Sequence, residues 1–169
     1  TLGRSALGSV AGLGGGARSY SPEAAAAAPA AAPEAGADTS TALTNPFHDA
    51  CERGDAAHVE SVLRGGAVDV NAGDPQRAHT TPLHLAARRG FVGVVRLLLA
   101  HGAEVDARGA WDLTPLMYTS VFDQPAVASV LLRHGADAAL VDKKGKTAMD
   151  HALGEKNLGV VAALHQYRH

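Results

Sequence analysis

The sequence predicts an all-α fold: a solenoid of stacked helix–turn–helix units joined by hairpin-like finger loops, with an Ala/Pro/Gly-rich N-terminal tail. Three observations predict it. Thr81-Pro82-Leu83-His84 returns as Thr114-Pro115-Leu116-Met117 and again as Thr147-Ala148-Met149-Asp150, at intervals of 33 residues. Gly102-Ala103-Glu104 returns as Gly135-Ala136-Asp137 at the same interval of 33. The apolar triplet Leu97-Leu98-Leu99 maps onto Val130-Leu131-Leu132 in that register. A fixed period of this length is the mark of a repeat architecture, in which each unit buries its apolar face only against its neighbours.

The first element is the tail. Residues 1–20 carry Arg4 and Arg18 but no acid, and are rich in Gly, Ser, Ala and Leu. That bias suits an organelle-targeting segment. Arg18-Ser19-Tyr20-Ser21 resembles the processing motif of mitochondrial presequences, with cleavage before Ser21. A flexible Gly/Ser-rich tail is the other reading, and Gly14-Gly15-Gly16 would weaken the amphipathic helix a presequence needs. Residues 21–44 follow as a linker or arm, because Pro29 and Pro33 interrupt its alanine runs.

Residues 45–169 form the periodic domain, with units at about 45–80, 81–113, 114–146 and 147–169. Unit two is the most regular. Thr81 can cap a helix whose first residue is Pro82, where the missing N–H costs nothing. Leu83, Ala86 and Ala87 share one face at i, i+3, i+4, and Gly90 ends that helix with positive φ. Val95, Leu98 and Leu99 repeat the pattern on a second helix that Gly102 ends. Residues 105–113 then cross to the next unit. In unit three Asp123 replaces Gly90 and Pro125 opens the second helix. Unit one stands 36 residues from unit two (Ser61 to Leu97), so its finger carries about three extra residues.

TPLHLAARRGFVGVVRLLLAHGAEVDA (81–107) resembles a near-consensus ankyrin repeat. TPLMYTSVFDQPAVASVLLRHGADAAL resembles a divergent one, TAMDHALGEKNLGVVAALHQYRH a terminal one, and NPFHDACERGDAAHVESVLRGGAVDVNA an opening one. The resemblance implies about four repeats from Asn45 to His169 and a non-catalytic protein-binding role. It also implies that the His84 imidazole bonds between neighbouring repeats.

Composition narrows the alternatives. Aromatics are 4% of the chain, so the core is built of Leu, Val and Ala. A net charge of -2 gives no global pull toward nucleic acid or anionic membrane. The lone Cys51 forms no internal disulfide, and no apolar run nears the roughly 18 residues of a membrane span.

No oriented nucleophile, base and oxyanion donors are found, so no catalytic or cofactor-binding residue is assigned. Gly145-Lys146-Thr147 ends like a phosphate-binding loop, but Leu140 stands where such a loop needs glycine. None of the nine histidines has metal-site spacing, and no metal ligand is assigned. His101 and His134 are 33 apart and close equivalent second helices, where a cation complements the dipole. Cys51 is read as a packed, inert thiol.

The resemblance places partner contacts on finger loops and on the concave side of the first helices. By register these are Arg108, Ala110, Trp111 and Leu113 on one finger, and Val141, Lys143, Lys144 and Lys146 on the next. Arg88 and Arg89, then Ser120 and Val121, fall at first-helix ends. Trp111 has two readings: an interface anchor, or a side chain folded back over Leu113. The expected function is a scaffold or accessory subunit of an organellar complex, mitochondrial first and plastid second. The alternatives are a cytosolic adaptor or regulator, and an RNA-contacting subunit of a ribonucleoprotein that uses the three lysines.

Overall fold

A computed structural model describes residues 39–167, with side chains from Pro46 onward. The targeting-like segment and most of the arm lie outside the described residues. Eight α-helices are present among the described residues: α1 (Thr39–Arg53), α2 (Ala56–Gly65), α3 (Pro82–Arg89), α4 (Val92–Ala100), α5 (Pro115–Val121), α6 (Pro125–Arg133), α7 (Ala148–Gly154) and α8 (Leu158–Gln166). They pair as α1–α2, α3–α4, α5–α6 and α7–α8. The first helices α1, α3, α5 and α7 stack in one row and the second helices α2, α4, α6 and α8 in another. This is the ankyrin-type solenoid that the 33-residue register predicts.

The expected linker–domain boundary at Asn45 does not coincide with a helix start, because α1 begins at Thr39. Residues 39–45 hold no Gly or Pro, so nothing there breaks a helix. Pro46 forfeits one hydrogen bond, yet it stands in the register of Pro82 and Pro115, which open α3 and α5.

Each later first helix opens on a threonine. Thr114 Oγ1 accepts the N–H of Met117 at 3.3 Å, and Thr147 Oγ1 accepts that of Asp150 at 3.2 Å. The Asp150 carboxylate returns the bond by accepting Thr147 N–H at 2.9 Å, which holds its pKa below the usual carboxylate range. In unit two the third helical residue is His84, and its Nδ1 accepts the Thr81 N–H at 3.3 Å.

Between the paired helices the chain turns through a left-handed residue: Gly90 at φ 81°, then Asp123 at φ 52° in the same register. A Cβ on Gly90 would meet only the movable end of the Gln124 side chain, so it is the positive φ that calls for glycine there.

The core is one column of small and branched side chains. Leu98, Leu131 and Leu164 occupy one register position and are all buried; Ala86, Thr119 and Ala152 form another buried file. Slim side chains let short helices approach closely, consistent with the 4% aromatic content.

The turns after the second helices are clasped unit to unit. Asn71 Oδ1 accepts Glu104 N–H at 2.7 Å while its Nδ2 donates to Gly102 O at 3.2 Å. Asp106 accepts Asp137 N–H at 3.1 Å in the equivalent place. Burial of Asp106 raises its pKa. Asn71 and Asp106 are 35 apart rather than 36. One of the three extra residues therefore lies before Ala72, in the turn, and two lie in the finger itself.

Candidate functional site

Three finger loops project along one edge. Each is closed by an equivalent hairpin bond: Asp74 N–H to Thr80 O at 3.1 Å, Gly109 N–H to Leu113 O at 3.0 Å, and Asp142 N–H to Lys146 O at 3.0 Å. The tip of the second finger is a tight turn with Leu113 N–H donating to Ala110 O at 3.1 Å. Both central residues, Trp111 and Asp112, sit at φ 60°. Asp tolerates that region; a tryptophan there is uncommon and strained. The indole is 59% exposed, so it is not buried over Leu113, which is 3% exposed.

The sequence placed Trp111 and the lysines on separate fingers. The structure joins them. Lys143 N–H donates to the Trp111 carbonyl at 3.1 Å, and Arg108 Nη1 donates to Val141 O at 2.7 Å and to Asp112 O at 2.9 Å. Arg108 thus braces two fingers while remaining exposed. Val141 is 46% exposed beside them.

The third fingertip is held from within. Asp142 is buried; its Oδ1 accepts Lys144 N–H at 2.7 Å and Lys146 N–H at 3.0 Å, and its Oδ2 meets His151 Nε2 at 2.9 Å. The acid is therefore turned inward while Lys143, Lys144 and Lys146 are exposed. The result is one continuous edge: an aromatic and an aliphatic side chain bordered by four cations.

Four residues expected at the contact surface belong elsewhere. Arg88 is 8% exposed: it ion-pairs with Glu52, and its guanidinium lies 5.8 Å from the Phe122 ring centre. Burial lowers its pKa against the opposing pull of Glu52. Leu113 is core, and its carbonyl accepts His84 Nε2–H at 2.9 Å. Ser120 is fully buried, its hydroxyl donating to Leu116 O at 3.1 Å and its carbonyl accepting Asn157 Nδ2 at 2.8 Å. Val121 is half-buried beneath the same Asn157. Arg88, Ser120 and Val121 are covered because neighbouring units reach across them, through Glu52 and Phe122 at Arg88 and through Asn157 at Ser120 and Val121.

Arg89 stays exposed, 3.1 Å from Glu52. Glu52 also receives Arg77 at 3.0 Å, so this one carboxylate gathers three arginines. The three arginines lie 25 to 37 residues from Glu52, so no local spacing marks the cluster in the sequence.

His84 is buried between units. An amide N–H only donates and a carbonyl only accepts, so the ring bears its proton on Nε2. Burial pushes its pKa down to about 4. His48 holds the corresponding place one unit earlier but meets a different carbonyl, with Nε2 2.9 Å from Ala72 O. Cys51 is buried and its thiol is pushed up to about 12 by burial, which disfavours a nucleophilic thiolate. No described helix is long and apolar enough to cross a membrane.

A family model described as ankyrin repeats (3 copies) matches residues 31–109. Among curated proteins, "Palmitoyltransferase AKR1" of Lachancea kluyveri is 27% identical over 126 residues, covering 74% of this chain and 17% of that protein. "Ankyrin repeat and SOCS box protein 11" of Mus musculus is 32% identical over 124 residues, 73% of this chain and 37% of the other. "Transient receptor potential cation channel subfamily A member 1" of Drosophila melanogaster is 30% identical over 109 residues, 62% and 9% respectively. The chain spans well under half the length of these relatives. Beyond residue 109, where the family match ends, units α5–α6 and α7–α8 continue the same stacking.

Proposed function

The chain belongs to the ankyrin-repeat family, and on that premise we propose that it is a non-catalytic scaffold or accessory subunit that grips an acidic segment of another protein with the edge formed by Trp111, Val141, Arg108, Lys143, Lys144 and Lys146. Ankyrin repeats are binding modules, and the domain supplies a rigid edge rather than a reacting centre. One observation carries the reading. Trp111 is 59% exposed on a left-handed backbone, where neither core packing nor conformational preference calls for tryptophan. Aromatic and arginine side chains dominate interface energies, and the neighbouring lysines favour an acidic partner. Arg89 extends the basic surface toward the concave side.

The activities named for the relatives belong to proteins several times longer than the matched region, and none is transferred here. For the cellular setting we favour an organellar complex, mitochondrial before plastid, on the Arg18–Ser21 motif and the acid-free first twenty residues; a cytosolic adaptor is the alternative. Mass spectrometry of the native N-terminus decides between them. A start at or near Ser21 supports import, whereas an intact tail supports the cytosol.

The binding role is tested with a photo-crosslinking amino acid at position 111 of the full chain, expressed in its native cells. A discrete protein adduct is expected, and the same label at exposed Ala57, on the far row of helices, should not give it. Equal labelling from both positions, or none from either, overturns the edge as the contact site.

A further inference from the structure

The two joined fingers carry a crossed pattern of side chains. The repeat register pairs Arg108 with Val141 and Trp111 with Lys144, each 33 residues apart. The second finger sets a cation at the first of these positions and an aromatic at the second. The third finger sets an aliphatic at the first and a cation at the second. All four side chains are exposed. The fold demands neither apolar residue, since the equivalent place on the adjoining finger holds a charged one. Val141 is 46% exposed where Arg108 stands one unit earlier, and Trp111 is 59% exposed where Lys144 stands one unit later. The bonds from Lys143 N–H to Trp111 O and from Arg108 Nη1 to Val141 O lock the two fingers in this arrangement. The first finger does not extend it, because Arg77 ties that tip inward to Asp49 and Glu52.

Charge alone leaves half of this pattern unused. A plain polyanion satisfies Arg108 and Lys144 but keeps Trp111 and Val141 in water. A chain with an apolar side chain among its acids satisfies all four. Neighbouring fingers lie about 10 Å apart, the stacking distance of helix pairs, and about three residues of extended chain span that gap. A nucleobase stacks on an indole, but Val141 offers it no ring. Asp112, beside Trp111 on the same tip, repels its phosphate.

Building on the contact edge proposed above, we infer that the segment it takes is an extended stretch with one bulky apolar residue seated between Trp111 and Val141. Acids within about three residues on either side meet Arg108 and Lys144.

Fluorescence anisotropy of the full chain tests this with two labelled glutamate nonapeptides, one with a central leucine and one with a central serine. The leucine peptide should bind at least about tenfold tighter. Val141→Ser, and separately Trp111→Gly, should each remove most of that preference. Val141→Ser should leave the affinity for the serine peptide unchanged, a pattern that loss of fold cannot mimic. Equal affinities for the two peptides overturn the proposal, as does a preference that survives both substitutions. Tighter binding of an oligouridine of the same charge than of the leucine peptide also overturns it. If neither peptide binds while position 111 still yields its crosslink, the apolar-anchor motif fails and the edge stands. Loss of the crosslink itself removes the edge.

Discussion

His84 Nε2 lies 2.9 Å from the carbonyl oxygen of Leu113, so the imidazole of the second unit holds the approach to the third. The same ring receives the Thr81 N–H through Nδ1. It therefore works only when neutral, which is why burial and a pKa of about 4 belong together. Between about pH 6.5 and 4 the unfolded chain binds a proton that the folded chain refuses. The stabilisation is whole above the unfolded value and drains away as pH falls toward the folded one. The expected loss is roughly 3 kcal/mol by pH 4. Urea titrations of wild type and His84→Gln from pH 7 to pH 4 check it. The variant should begin about 1–3 kcal/mol less stable and show the shallower slope. Parallel slopes would exclude His84 as the titrating group.

Glu52 and Arg88 supply a second expectation, which separates stability from recognition. Glu52→Ala removes the carboxylate that pairs with buried Arg88 and with Arg89, while Arg77 keeps Asp49 and Asp74. It should cost about 3 kcal/mol in denaturant unfolding. Arg88→Met keeps the bulk over Phe122 and leaves Glu52 two arginine partners, so about 1 kcal/mol is expected. Neither substitution should alter crosslinking from position 111 in protein that remains folded. A change confined to binding would return Arg88 to the contact surface.

These residues show what was legible in the sequence. The units were readable because a helix pair is a local object: Thr81, Pro82, Leu83 and Gly90 each act within a few residues. His84 was readable through family resemblance, although its acceptor Leu113, 29 residues on, was not. The binding edge was half readable. Trp111 and the lysines were picked out singly, but the Lys143–Trp111 bond that unites them is a matter of stacking distance. Arg88 was misplaced because its exposure depends on Phe122, 34 positions on and not aromatic in the preceding register, where Arg89 stands.

Trp111 offers a test in which stability and function move apart. At φ 60° a side chain strains the backbone, and glycine relieves it. Trp111→Gly should therefore leave unfolding free energy unchanged or raise it by up to about 1 kcal/mol, despite removal of the largest side chain. Binding to a partner captured at the edge should fall by about 2 kcal/mol or more, measured by calorimetry. A marked loss of stability would show instead that the indole is a structural strut, and the interface reading of Trp111 would fail.

The lysines test the charge of the partner. Trp111 is the one tryptophan in the chain, so its fluorescence reports directly from the edge. Titration with poly-L-glutamate should shift that emission, and added salt should weaken the binding, because exposed charges are screened within about 10 Å at 0.1 M salt. Reversing Lys143, Lys144 and Lys146 to glutamate removes three attractive charges and adds three repulsive ones. At about 0.5–1 kcal/mol for each site, the affinity should drop by roughly ten- to a hundredfold. The fold should survive, because Asp142 takes the backbone N–H groups of Lys144 and Lys146, which any residue there supplies. Poly(U) in place of the polypeptide separates the ribonucleoprotein alternative. Tighter binding to poly(U) with the same lysine dependence would favour RNA over an acidic protein, and no response to either polymer would remove electrostatics from the account of this edge.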